Sequence, residues 1–292
     1  MKKINKIALF YNNLRGYYLF RKLKVEGYQI TKILAKKNLN PEVLNKCKAD
    51  KIIKNLKSID FLKFIKKENF DIFILAGFPY IFPKKLISIP KFGIINLHGG
   101  KLPKYRGGSP LSWQIINNEK KIGLSVIKIN EKIDEGEIIT KDAFKNIKSD
   151  TIFEVQKKSF RMFPRLTLKA LKILEKGKKL KKQKKSNSYF AQRSDKDSKI
   201  NWNLNSRDVY NFIRAVTYPY NGAFAYFLKA KVRIYQSKIS NYSPKKVGIG
   251  NLFFDKKKNL YAKCKINSIK ILKSKPNLKK LISKNKQKLC VV

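Results

Sequence analysis

The chain contains a single histidine, His98, two residues after Asn96 in the apolar run GIINLH (93–98). In an extended run, residues i and i+2 face the same way, so both side chains can point at one pocket. GGKLPKYRGGSP follows at once, a loop with four glycines and three basic residues. Thirty-six residues after His98 comes IDEGEII, which puts Asp134 in a loop ahead of another short strand. A neutral amide, an imidazole and a carboxylate converging at strand ends can manage a tetrahedral intermediate. Asn96 and His98 would meet the developing oxyanion, while Asp134 fixes the imidazole or moves a proton. No serine or cysteine sits in a strand–turn–helix elbow, so a covalent acyl-enzyme is not suggested. Singly, each feature also has an ordinary reading: a structural strand-end histidine, a capping asparagine, an Asp-Glu-Gly turn, a flexible glycine loop.

Metal chemistry finds little support. Cys47, Cys264 and Cys290 are far apart and form no CxxC, and one histidine does not complete a zinc set, so no metal is expected. An odd, scattered set of cysteines fits a reducing, cytoplasmic setting.

The elements that must position these residues alternate. INKIALFY (4–11) reads as a buried parallel strand, followed by NNLRG and a helix over YYLFRKLKVEG that closes at Gly27. YQITKILAK reads as a second strand, residues 41–69 as Lys-rich with apolar residues at helical intervals, and DIFILAGF (71–78) as the most strand-like segment. FPKKLISIP is a short helix leading into GIINLH. This strand–helix alternation predicts a doubly wound parallel sheet, with ligands at the carboxyl ends of its strands, where NNLRG, GFPY and NLHGG all fall. Beyond it, SPLSWQIINNE reads as a helix, IGLSVIKI (122–129) as a strand, and residues 151–177 as a long helix. KKLKKQKKS (178–186) reads as a polar linker. It divides a catalytic domain, 1–186, from a C-terminal part, 187–292, with a helix around RDVYNFIRAV and strands in AFAYFL, KVRIYQSKI and LYAKCKINSIKIL. The last residues, 273–292, read as a surface helix or a frayed tail.

At 292 residues, 43% hydrophobic and 12% aromatic, the chain can bury a core, which excludes wholesale disorder. Basic residues outnumber acidic ones 68 to 19, for a net charge of +49, yet only nine are Arg. Nucleic-acid readers favour Arg for bidentate contacts, so the lysines read either as composition drift or as a functional basic surface. In both cases the field attracts polyanions. MKKINKIALF is too short in its apolar part for a signal peptide. The longest charge-free apolar run, Ile72 to Pro83, holds two prolines, so a soluble protein without membrane spans is expected.

Residues 94–139 closely resemble the folate-dependent formyltransferases. That family's pattern is an N-x-H pair, a loop ending L-P-x-Y-R-G, and a D-x-G about three dozen residues later. Here these are Asn96-Leu97-His98, Leu102-Pro103-Lys104-Tyr105-Arg106-Gly107 and Asp134-Glu135-Gly136. Gly100 and Lys101 replace the usual serine and leucine before the L-P pair. The resemblance extends upstream through ILAGFPYIFP and downstream through INWN and IRAVTYPYNGAF. It implies an α/β fold, with a Rossmann-like formyltransferase N-terminal domain and a smaller β-rich, OB-like C-terminal domain. It further implies formyl transfer from 10-formyltetrahydrofolate as cosubstrate, with Asn96, His98 and Asp134 catalytic. The pterin would dock at Tyr80, Ile81 and Phe82 and at Lys132 to Asp134.

Two acceptors compete within the resemblance. Nucleotide sugars, dTDP- or UDP-linked amino-deoxy sugars for surface polysaccharides, are favoured because Lys36–Pro41 is short and lacks the glycine-containing insertion of the tRNA enzymes. PLSWQIINNE, with Trp113, also looks like the sugar enzymes. Asn12, Asn13 and Arg15, where a strand meets a helix N-terminus, would take the diphosphate, with Tyr105 and Arg106 on the acceptor side. Methionyl-tRNA is the alternative, and nucleic acid is a partner only in that case. Tyr218-Pro219-Tyr220-Asn221 is either a packed junction or a base-stacking platform. A homodimer through the C-terminal region is an expectation of the resemblance alone. A basic RNA-binding protein with no catalysis is the reading outside enzymes. Intact Asn96, His98 and Asp134 oppose it, and a steep salt dependence of binding would mark it.

Overall fold

The computed structural model describes residues 3–284 except 187 and 228, so Cys290 and the end of the expected C-terminal helix or tail lie outside the described residues. The chain forms two compact units. The first comprises Met1–Pro110, Ile122–Phe144 and Gln156–Phe190, and the second Leu111–Lys121, Lys145–Val155 and Ala191–Val292.

In the first unit, β1 (Lys6–Tyr11), α1 (Leu14–Val25), β2 (Gln29–Ala35), α2 (Pro41–Lys46), β3 (Lys51–Ile53), α3 (Ile59–Glu68), β4 (Ile72–Ala76), α4 (Lys84–Ile87) and β5 (Ile94–His98) follow in turn. After the two-residue β6 (Arg106–Gly107) and α5 (Pro110–Ile116), which belongs to the second unit from Leu111 onward, come β7 (Lys121–Lys128), β8 (Ile138–Lys145) and the long α6 (Ile152–Glu175), which belongs to the first unit from Gln156 onward. The seven-stranded sheet has the order β3-β2-β1-β4-β5-β7-β8. Its first five strands are parallel, through β2–β3, β1–β2, β1–β4 and β4–β5. The continuous apolar runs of β1 and β4 explain their central places, because a strand covered on both faces has no polar side to show.

Two details differ from the expected pattern. Residues 41–69 contain two helices separated by the edge strand β3, which pairs Lys51–Ile53 with Ile33–Ala35. Three residues are too few to display a period of two, and their strand state comes from a distant partner. The sheet is also not wholly parallel. β7 runs antiparallel to β5 and sets His98 opposite Ser125.

Helix starts follow local chemistry. Asn13 caps α1 by accepting from Arg15 N at 3.1 Å, Asn40 caps α2, and Ser58 caps α3. Inside the sheet layer, Phe10, Phe73, Phe78 and Phe82 form an aromatic cluster, with Phe10 and Phe82 centroids 5.0 Å apart at 89°.

The first unit ends with β9 (Tyr189–Phe190), parallel to β6. In the second unit, α7 (Ser206–Val216) accompanies a five-stranded antiparallel sheet of β10 (Ala223–Phe227), β11 (Ala230–Ser240), β12 (Leu252–Phe254), β13 (Leu260–Lys263) and β14 (Ser268–Lys275). LYAKCKINSIKIL is two strands, because Asn267 turns the backbone at φ +66°. β12 was not expected from the sequence. α8 (Leu278–Lys284) closes the described part. Burial pushes the Cys264 thiol up to about 12, which keeps it protonated and unreactive. Among the described residues no helix is long and apolar enough to cross a membrane.

Candidate active site

β5 delivers Asn96 and His98 to the carboxyl edge of the sheet, as period-two geometry requires. His98 is buried, with 4% of its side chain exposed. Its Nε2 lies 2.6 Å from the carbonyl oxygen of Tyr105. A carbonyl only accepts, so Nε2 carries hydrogen and donates. The other nitrogen, Nδ1, faces Asp134 Oδ2 at 3.4 Å. Burial, working together with the more distant Arg15 charge, holds the His98 pKa below its ordinary value near 6.5, against the Asp134 carboxylate and the Tyr105 carbonyl, which favour the cation. The resting ring is therefore a neutral Nε2–H imidazole with a basic Nδ1 aimed at a carboxylate.

Asp134 links the remaining parts. Its Oδ2 accepts from the backbone N–H of Gly107 at 3.0 Å, and its Oδ1 accepts from Asn96 Nδ2 at 3.4 Å. The residue sits at φ +54°, left-handed backbone that turns its carboxylate back toward β5. Two residues on, a Cβ at Gly136 would fall 1.7 Å from Lys128 O, so the D-x-G turn can lie against β7 only with glycine there.

The glycine loop after His98 is ordered by side-chain and backbone contacts. Ser125 Oγ donates to Gly100 O at 2.9 Å, the Leu102–Pro103 peptide is cis, and Tyr105 stacks on Phe190 with centroids 5.0 Å apart at 15°. Gly100 lies directly against the imidazole. A Cβ there would meet His98 Nε2 at 2.4 Å and Tyr105 O at 2.6 Å.

Of the residues read as acceptor-binding, Asn12 is buried and braces β1 to the end of β2. Its Nδ2 donates to Ala35 O at 2.9 Å and Lys37 O at 2.6 Å, and its Oδ1 accepts from Ala35 N at 2.8 Å. Asn13 Nδ2 reaches Gly77 O at 3.3 Å. Arg15 Nη1 donates to Leu97 O at 2.6 Å, between Asn96 and His98, and its guanidinium lies 4.8 Å from the Phe163 ring centroid. The Tyr105 side chain is fully buried, and Arg106 is buried against Ser186 O and Glu135. Asn12, Tyr105 and Arg106 thus brace the site from inside, while Asn13 and Arg15 stand at the strand–helix junction.

The residues read as pterin-binding occupy two loops. Phe82 is in the aromatic cluster, Ile81 is 77% exposed, and the Tyr80 hydroxyl donates to Lys54 O. Among the described residues none accepts a hydrogen bond from the backbone N–H of Tyr80, Ile81 or Phe82, which leaves donors suited to a planar heterocycle rich in acceptors. Lys132 is exposed, its N–H bonded to Asn130 Oδ1 at 3.0 Å.

Sequence reasoning missed the Tyr105 carbonyl and the Gly107 N–H, because backbone groups carry no residue signature. It also missed Gln183, whose Nε2 donates to Asp134 O and Gly136 O. The available signal was one amide inside the lysine run KKQKK (181–185). Among the described residues no cluster of three or more His, Cys, Asp or Glu has metal-binding geometry.

The α/β sheet thus carries an Asn–His pair at one strand end, facing a carboxylate held in a D-x-G turn. Residues 29–170 match the formyl transferase family and residues 193–286 the formyl transferase C-terminal domain. The chain is 38% identical over 226 residues to the bifunctional polymyxin resistance protein ArnA of Wigglesworthia glossinidia brevipalpis, covering 76% of this chain and about a third (33%) of that one. It is 31% identical over 232 residues to the methionyl-tRNA formyltransferase of Fusobacterium nucleatum, covering 78% of this chain and 74% of that protein. In fold it is similar to the N-formyltransferase of Helicobacter canadensis solved with folinic acid and dTDP-3-aminofucose, with a TM-score of 0.70 and 20% identity over 92% of this chain and 99% of that one. The chain belongs to the formyl transferase family.

Proposed function

We propose that the protein transfers the formyl group of 10-formyltetrahydrofolate to the amine of a nucleotide-linked amino-deoxy sugar, in the cytoplasm and in service of surface polysaccharide synthesis. The observation that carries the reading is the three-way contact of Asp134 with Asn96, Gly107 N–H and the His98 Nδ1 face.

As the amine attacks the formyl carbon, the carbonyl oxygen gains charge and Asn96 donates a hydrogen bond to it. An asparagine amide has two N–H groups, and only one is directed at Asp134. His98 Nδ1 takes the proton that the attacking nitrogen must lose. The resulting imidazolium lies between the Tyr105 carbonyl and the Asp134 carboxylate, both of which favour it. The proton then passes to N10 of the folate as the C–N10 bond breaks, leaving the N-formylated sugar and tetrahydrofolate. Tyr80, Ile81 and Phe82, with Lys132 to Asp134, are the proposed pterin side. Asn13 and Arg15 are the proposed diphosphate side, with Asn12, Tyr105 and Arg106 behind them.

Methionyl-tRNA as acceptor has its own support, the Fusobacterium relative and the charge of +49. The deciding experiment is turnover of 10-formyltetrahydrofolate against a panel of dTDP- and UDP-amino sugars with methionyl-tRNA alongside. Formylation of a sugar at rates well above tRNA supports the proposal. Formylation of tRNA alone replaces it with the second reading, for which binding should weaken steeply with salt.

A further inference from the structure

The lysine run after α6 contains one side chain that behaves unlike its neighbours. Gln183 Nε2 donates to Asp134 O at 2.8 Å and to Gly136 O at 2.6 Å, one hydrogen for each side of the D-x-G turn. Its own Oε1 accepts from Arg106 Nη2 at 3.5 Å. Arg106, itself buried, also reaches Ser186 O at 3.2 Å and Glu135 Oε1 at 3.2 Å. Three residues after Ser186 the segment becomes β9, paired with β6, and Gly108 N donates to Phe190 O at 2.7 Å. Gln183 therefore grips the Asp134 turn, and Tyr189–Phe190 grip the β6 segment that carries Gly107.

The turn needs such a grip. Left-handed backbone at a residue with a Cβ is disfavoured and persists only when its surroundings enforce it. The side-chain contacts of Asp134 with Asn96, Gly107 and His98 all depend on that backbone, since an ordinary φ would swing the carboxylate elsewhere. An amide suits the task better than a lysine. It supplies two hydrogens to two carbonyls without placing a cation beside the carboxylate.

We propose that Gln183 is a positioning residue for formyl transfer: it brackets the Asp134–Gly136 turn and so holds the Asp134 carboxylate on His98. The proposal rests on the reading of Asn96, His98 and Asp134 as the reacting centre.

Because the chain has one histidine, protein labelled with ¹⁵N-histidine reports the His98 ring without assignment. The charged groups facing it are Asp134 and, from α1, Arg15. Gln183→Met keeps the length of the side chain and removes its N–H groups. It should lower kcat by about 10- to 100-fold, the scale of a misplaced catalytic group, with both KM values little changed. With the carboxylate withdrawn, the His98 titration midpoint should fall below that of the wild type, because an anion nearby favours the imidazolium. A Gln183→Met protein with wild-type kcat, or with an unmoved His98 signal, overturns the proposal. If that variant fails to fold, Gln183→Ala decides: it also removes both N–H groups, its His98 midpoint must fall below the wild-type value, and an unmoved midpoint overturns the bracket. Asp134→Asn separates the two layers. Wild-type turnover by that variant defeats the catalytic reading even where the His98 shift in Gln183→Met has confirmed the contact.

Discussion

Gly100 is bare where His98 is most constrained: a methyl group on its Cα would stand 2.4 Å from Nε2, inside the hydrogen bond from that nitrogen to Tyr105 O. The L-P loop of this chain departs from the family's serine at this position, and the ring occupies the space a side chain would need. The loop and the imidazole are therefore matched to each other, and Gly100→Ser should not be a neutral return to the family residue.

Gly100→Ser is expected to displace the His98 ring from Tyr105 O and to reduce kcat by roughly 10- to 100-fold, with folate affinity kept. Steady-state kinetics with a folate-binding titration checks this. A serine variant with wild-type kcat would show that the loop relaxes without moving the ring.

His98→Ala should remove most activity while leaving folate binding nearly intact. Loss of a proton-transfer or oxyanion group costs roughly 100- to 10,000-fold in rate. Single-turnover rates measured at saturating folate give the number, and a loss under about threefold would make His98 structural, since catalytic acid–base groups contribute far more.

Stability should depend on pH through His98. Its folded pKa lies below its ordinary value near 6.5, chiefly because of burial, so in that interval the unfolded chain binds the proton and the folded chain does not. Unfolding free energy therefore falls as pH drops through about 6.5 toward the depressed folded value, with a limiting slope of about 1.4 kcal/mol per pH unit from this group. Below the folded value the loss levels off. Urea denaturation of the wild type and His98→Asn over that range should differ in slope, and parallel curves would mean that the ring titrates normally in the fold.

Arg15→Ala tests the strand–helix junction. If the guanidinium meets a diphosphate, acceptor KM should rise about 10- to 150-fold, the range for one charge-assisted hydrogen bond, and folate KM should stay. The same change removes a cation that disfavours the imidazolium, so the His98 midpoint should rise. An unchanged acceptor KM with a raised midpoint would leave Arg15 as a brace of β5 through Leu97 O.

How much of this was legible beforehand depends on the kind of contact. Asn96, His98 and Asp134 were readable because two of them share a strand face by periodicity and the third stands in a recognisable D-x-G. The parallel order of the first strands followed from apolar runs alternating with helical spacing. Local residue type was enough for both. β3 and the antiparallel direction of β7 escaped, since both are set by partners far along the chain. The same holds for the His98 tautomer, which a backbone carbonyl fixes, and for the left-handed Asp134 turn. Lys178 to Ser186 carries the charge and polarity of a solvated linker, and composition alone gave it that role. Only the tertiary structure decided that Gln183 within it holds the Asp134 turn, because hydrogen bonds across 47 to 49 residues arise from chain closure and leave no local pattern to read.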